Sequence, residues 1–546
     1  MAWQYPDNYI PPQRGDLAHE LFQLSNPMNT LSSSYWPKQY HPHTLPPIPS
    51  NEPCVPTAPP PPYFDPRTRG IVTPKDPRRR NIIRYLPVEI WLEIFAHSIP
   101  HLSEQERTPL SLATTPLRIG QISGGLRGIA HSVPQLWTTV CIVQSVDKRT
   151  LSVRAVNRIL KLSNERPLTV SFGCSGSKPS FDSGVHRVFA ALALSMDRWE
   201  HAVLAIPWVD LCQTSLPSKP RRLKTLTLHG YLGVNIAPGV INQLFKHARK
   251  LTSIAWEDRK TCEVPFTGKF KEFFPAGIPG DRLTKLDLQP SIFVNEALAI
   301  LATTPHLEEL KLGNLLWAHD HDYLVDPSQQ PTHPGRHGVV LPCLRKLVAG
   351  INASYWGANL QRVEPMIGTL LAHLCTPALR ELQLRNIHVW GQSDFIGFLT
   401  QSKCRLHVLM LHVVDITDEE LAGMLSHITM MNSLSSLYIH GHPRRKSPLS
   451  QRVIEAMVPS HKPFLVPTLI NIAVDNHALN QSGGAFSRML QRRCAMKPRF
   501  LRTITVSQPQ RRRGTHTEAV TDVNVLRQIS RPCSLRFVDC DASLYQ

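Results

Sequence analysis

Few groupings in this chain have the residue types and spacing that chemistry needs. His319-Asp320-His321-Asp322 places two imidazoles and two carboxylates side by side, a donor set able to hold a divalent cation. It lies near Asp326-Pro327 and Pro334-Gly335, where a surface insertion is expected, and a useful metal site needs ligands held by surrounding groups. The expected state is an exposed loop without metal. Gly173-Cys174-Ser175-Gly176 falls short of a Gly-x-Ser-x-Gly nucleophile elbow, and neither a phosphate-binding Gly-x-x-x-x-Gly-Lys-Ser/Thr loop nor a His-Glu-x-x-His zinc helix occurs. The chain is therefore expected to bind rather than to catalyse, with no cofactor. The candidates for binding are polar residues set between regularly spaced leucines.

Those leucines define the elements. The pattern Leu-x-x-Leu-x-Leu begins at Leu223, Leu283, Leu307, Leu379 and Leu406, with looser copies from Leu251, Leu344, Leu434, Leu469 and Leu501. A short strand that buries its Leu/Ile positions, followed by a returning helix or loop, gives a leucine-rich-repeat solenoid of irregular period. Thr417 with Glu420 three residues on forms a capping box before the apolar face Leu421, Leu425, Ile428, and Leu298 and Leu301 before Pro305 mark another return helix. Segments around Leu168-Val170 and Val203-Ile206 read as atypical first repeats. In each copy the intervening residues point to the opposite sheet face, the expected concave surface. The candidates there are His229, Lys285, Asp287, Glu309, Lys311, Glu381, Arg385, Met410, His412, Tyr438 and His440. Both charge signs mixed with Met and Tyr suit a protein ligand better than a uniform polyanion.

The chain has 546 residues with 60 Lys+Arg against 41 Asp+Glu, a net charge of +19. Of its 48 prolines, 18 fall in residues 1–80, so that segment is expected to be a disordered leader. It ends in the basic run Pro77-Arg78-Arg79-Arg80. Nine bases and no acid lie between Asp475 and Glu518, among them Arg488, Arg492, Arg493, Arg502 and Arg511 to Arg513. No nucleic-acid module pattern accompanies them, so nucleic acid is not the expected partner. Eleven scattered cysteines without Cys-x-x-Cys spacing point to reduced thiols and a cytoplasmic or nuclear protein. No apolar run approaches the roughly 18 residues a membrane helix needs.

Between leader and repeats, Leu86-Pro87-x-Glu89-Ile90-Trp91-x-x-Ile94-Phe95 sets apolar residues on one helical face, with Pro87 and Glu89 suited to a first turn. A second helix carries Ile122, Leu126, Ile129 and Ala130 before Pro134-x-Leu136-Trp137. These residues resemble the F-box-like family, and with the repeats the chain resembles F-box/leucine-rich-repeat proteins common in fungi. The family's second helix carries Cys and Trp where Ser123 and Leu126 stand, and Gly124-Gly125 are expected to interrupt that helix here. The resemblance implies that Leu86, Pro87, Ile90, Ile94 and Phe95 bind the Skp-type adaptor of an SCF cullin–RING ubiquitin ligase, while the repeats hold a protein substrate. The expected fold is α/β: a leader over 1–80, a helical F-box-like domain over 82–145, and a leucine-rich-repeat horseshoe over 146–546 with an insertion near 313–341.

Overall fold

In a computed structural model, the described residues are 86–98, 120–145, 153–175, 183–205, 218–229, 245–257, 280–316, 338–351, 366–441, 447–460, 464–475, 484–495, 501–509 and 534–540. The leader, the basic runs 78–80 and 511–513 and the His319–Asp322 cluster lie outside them.

The leucine pattern becomes a parallel sheet of fourteen strands whose spatial order is their sequence order. They are β1 (Thr139–Ser145), β2 (Leu168–Ser175), β3 (Trp199–Ala205), β4 (Thr225–His229), β5 (Ser253–Glu257), β6 (Lys285–Phe293) and β7 (Glu309–Leu316). Then come β8 (Lys346–Gly350), β9 (Glu381–Ile387), β10 (Val408–Val414), β11 (Ser436–His440), β12 (Asn471–Asp475), β13 (Thr503–Pro509) and β14 (Ser534–Cys540). Every one of the ten leucine-pattern copies supplies a strand. Each is in register with the next, so Leu226, Ile254, Leu286, Leu310, Leu347, Leu382, Leu409, Leu437, Ile472 and Ile504 form one unbroken inner row. All ten are buried. Parallel neighbours need a crossover, and stacking such units buries a continuous core that no single repeat could. This is a leucine-rich-repeat solenoid.

Several crossovers are helices. They include α3 (Val153–Leu162), α4 (Ser183–Ala193), α5 (Val294–Ala302), α6 (Met366–Ala372), α7 (Gln392–Ser402), α8 (Asp418–Leu425), α9 (Ile428–Ser433), α10 (Gln451–Ala456) and α11 (Ala485–Ala495). In α8 the expected capping box is present in both directions: Glu420 N donates to Thr417 Oγ1 at 3.2 Å, and Thr417 N donates to Glu420 Oε2 at 2.8 Å. At the β6–β7 step the register slips between Leu288 and Ser291, and the backbones crowd there. A Cβ on Gly313 would stand 2.7 Å from Gln289 Cα, so only glycine fits.

Two features of the helical segment bear on the expectation. First, α1 (Val88–Ser98) is followed by α2, which begins at Gly124 and ends at Ser132; Ser123 is its N-cap, accepting from Leu126 N at 3.1 Å. Residues 120–122 are helical as well, so the expected interruption is present, placed at Ser123, and the glycines open the helix that follows it; at an end they cost far less than in an interior. Second, the described residues of 82–145 pack continuously with the repeats. Phe95, Leu126, Ala130, Leu136 and Trp137 share one core with Val140, Ile142 and Val156, and β1 is the first strand of the sheet. Trp137 Nε1 donates to Ala130 O at 2.7 Å, fastening α2 to the turn that leads into β1. Of the segment expected as an insertion, 313–316 complete β7, Val339-Val340 pair with Leu374-Cys375, and 317–337 lie outside the described residues.

Candidate interaction surfaces

Two surfaces concern the sequence candidates: the outer side of α1 and the outward face of the sheet. Helical spacing explains the first. Phe95 is 3% exposed and meets Trp91 at a ring-centroid distance of 5.9 Å, so this side of α1 faces the core. Phe95, one of the five residues expected to meet a partner, therefore has its side chain in the core. Pro87 is exposed and Leu86 half-buried. Ile90 and Ile94, four residues apart on one side of the helix, remain 46% and 45% exposed. Val88 is 47% exposed at the start of the helix, on a different side from Ile90. Ile122 of the second segment is 72% exposed. Apolar side chains left this open on one short helix are an unusual cost for a lone protein. Glu89, Glu93 and His97 rim the helix, with His97 Nε2 3.1 Å from Glu93 Oε1.

The sheet face is built from the residues that alternate with the buried row. Register alone dictates who meets whom: Lys285 lies beside Glu309, Glu309 beside Lys346, and Lys346 beside Glu381. Lys285 Nζ donates to Glu309 Oε1 at 2.9 Å, and Lys346 Nζ lies 2.7 Å from Glu381 Oε1. One row further in, Lys311 Nζ donates to Asp287 Oδ2 at 2.8 Å. Five of the candidates, Lys285, Asp287, Glu309, Lys311 and Glu381, are therefore one another's partners or partners of Lys346. Lys346 was missed, although Leu344-x-Lys346-Leu347 carries the same offset. Burial pushes the Asp287 carboxyl above its ordinary range, with Lys311 opposing and Glu257 adding to the rise.

His229 does not belong to the open face. It ends β4 with its ring 2% exposed, and Nδ1 stands 3.1 Å from Oε2 of Glu257, its in-register neighbour on β5. The alternation of β4 fails at this last residue, which the leucine pattern could not foretell.

Beyond the charged rungs the face changes character. Arg385, His412 and His440 stand in one row of β9, β10 and β11, and Met410 and Tyr438 in the adjoining row. Arg385 is exposed; Met410, His412, Tyr438 and His440 are half-buried, and the two imidazoles lie 5.6 Å apart between centroids. Arg385 Nη2 donates to Gln383 Oε1 at 3.2 Å. The structure thus brings five candidates into one amphipathic patch and sets the other five face candidates into a self-paired band beside it.

The basic 488–513 segment is not one surface among its described residues. Arg493 is buried, donating to the carbonyls of Met457 at 2.8 Å, Val466 at 3.0 Å and Leu465 at 2.7 Å, with its guanidinium 4.6 Å above Phe464. Burial pulls its pKa down to about 10. Arg492 donates to Ser460 Oγ, and Arg488 lies 4.0 Å from Glu455.

No family model matches the chain, and no curated protein matches it. Among solved structures it is similar to the leucine-rich-repeat-containing protein LegL7 from Legionella pneumophila, at 12% identity and a TM-score of 0.33, over 71% of this chain and 98% of that one. It is similar to the Rad7 and Elc1 complex of yeast at 13% identity and a TM-score of 0.31, over 75% and 87%. A protein from Bacteroides fragilis matches at 11% identity and 0.31, over 63% and 75%.

Proposed function

We propose that the protein is an F-box-like substrate-recognition adaptor of an SCF-type cullin–RING ubiquitin ligase. The observation that carries this reading is the apolar outer side of α1, where Ile90 and Ile94, one helical turn apart, each keep nearly half their surface in water. Burying such anchors in a partner groove is a strong source of affinity, of the order of 1–2 kcal/mol per large aliphatic side chain. The Leu86-Pro87-x-Glu89-Ile90-Trp91 resemblance supplies the kind of partner, a Skp-type adaptor. On this reading the sheet patch of Arg385, Met410, His412, Tyr438 and His440 holds the protein substrate. The chain contributes position rather than chemistry: tethering raises the effective concentration of substrate lysines at the ubiquitin-carrying enzyme. A reducing cytoplasmic or nuclear setting fits Cys141, Cys343, Cys375, Cys404 and Cys494, which are in no disulfide. Among the described residues, no helix is long and apolar enough to cross a membrane.

The test is capture of the Skp-type adaptor by the full chain, comparing wild type with Ile90→Asp plus Ile94→Asp. Both side chains point outward, so the variant keeps its fold; capture is expected to drop at least about tenfold. Wild type that captures no adaptor would leave the alternative, a leucine-rich-repeat protein-interaction scaffold that works without a ligase.

A further inference from the structure

All strands of the sheet run the same way, so their first residues and the turns before them line up along one edge. At β4, β5 and β6 that edge is strongly basic. The turn into β4 carries Lys219, Arg221 and Arg222, and the strand begins beside Lys224; all four are exposed. The turn into β5 repeats the theme with exposed Lys246, Arg249 and Lys250 around His247. Arg282 precedes β6 and donates from Nη1 to Arg249 O at 2.7 Å, which draws the third turn onto the second. Aligned on the buried leucines Leu223, Leu251 and Leu283, the residues Arg222, Lys250 and Arg282 occupy equivalent positions and form a rung of three cations about 10 Å long at the usual strand spacing.

Carboxylates are few there among the described residues. Glu200 pairs with Lys224, and Asp281 lies 3.7 Å from Arg282. Among the described residues, Lys219, Arg221, Arg222, Lys246, Arg249 and Lys250 form no ion pair. The shared field of these turns shows at His247: desolvation, then Lys219, Lys246, Arg221 and Arg249, hold its pKa below the ordinary value. Holding many like charges together in this way is unfavourable unless something anionic offsets it.

We infer that the strand-start edge of β4–β6 is a docking site for a short acidic segment of a partner protein, rich in Asp and Glu. Two features favour a peptide over nucleic acid. The rung spans only three or four residues of an extended peptide at about 3.3 Å each, too short to follow a duplex. Among the described residues, the aromatics of β5 and the turn before it, Phe245 and Trp256, are buried and offer unpaired bases no stacking surface. This site stands whether or not α1 meets a ligase.

The experiment measures fluorescence anisotropy of a labelled Asp/Glu peptide of about ten residues with the full chain, at low and high salt. The charge-reversed pair Arg222→Glu plus Lys250→Glu is compared with Arg380→Glu plus Arg405→Glu, exposed bases farther along the same edge. Wild type should bind at low salt and release with rising salt. The first pair should weaken binding about tenfold or more and the second about twofold or less. Thermal melts of both variants should match wild type, since every altered side chain is in water. No binding by wild type, or equal loss in both variants, would overturn the site. Tighter binding of a single-stranded RNA of equal charge, lost in the first variant, would overturn the choice of partner.

Discussion

Asp287 shows how a residue with the right chemistry for binding is taken up by its neighbours. Its side chain is only 15% exposed, and Lys311 already occupies Oδ2. Because burial raises its pKa in the folded chain, the folded state holds its proton at a pH where the unfolded chain has released it. Stability must then fall as pH climbs from the ordinary aspartate range through the raised value, and stay lower above it. Replacing Asp287 with Asn removes that slope. Melting temperatures measured from acid to neutral pH are expected to show the variant gaining on wild type as pH rises. The Lys311 side of the pair is half open to water, so losing that contact offsets only part of the gain. A variant whose melting curve parallels wild type throughout would show that the carboxyl titrates as it does in water. Arg493 makes the complementary point: a base that composition assigns to a charged face is a buried clip between repeats. Nothing in the Arg492-Arg493 dipeptide separates the two, because which side of α11 faces the core is decided by packing.

At the scale of elements the sequence is far more transparent. A period-two alternation with leucine at fixed offsets admits one solution, so all ten leucine-pattern strands were legible, and so was the box that starts α8. The strand β14 was not, because Leu535 and Phe537 stand without a leading leucine. The start of α2 was legible in part: Gly124-Gly125 reads as a break, and the break is there, but at Ser123, which caps the helix the glycines open. The role of Thr417 can be tested directly. Thr417→Ala removes the hydroxyl that accepts from Glu420 N and also donates to Glu420 Oε2 at 2.9 Å. Denaturant unfolding is expected to show a loss of about 1 kcal/mol, and Thr417→Ser is expected to restore most of it. An alanine variant as stable as wild type would show that packing of Leu421, Met424 and Leu425 alone sets the start of α8.

For the whole molecule, what matters is that the helical segment and the repeats share one core. The sequence suggested a boundary near residue 145 because helical spacing gives way to strand spacing there; tertiary packing crosses that change, and periodicity carries no information about it. A solenoid needs its first inner row covered, and here α1, α2 and the Pro134–Trp137 turn do so. The surface proposed for a ligase is therefore mounted on the cap of the array, with Phe95 of α1 in the shared core. Trp137 is the most exacting test of this arrangement, since it is 2% exposed and holds α2 by its indole hydrogen bond. Trp137→Ala should cost about 3–5 kcal/mol. In an array stabilised by nearest neighbours the loss is felt first at the near end. Hydrogen exchange is expected to speed up in β1 and β2 while β9 to β11 stay protected. Adaptor capture through Ile90 and Ile94 should fall with it, although neither residue touches the substitution. Exchange that accelerates equally in all strands would mean that the chain unfolds as one unit. Exchange confined to α1 and α2, with β1 unchanged, would mean that the helical segment is an independent domain after all.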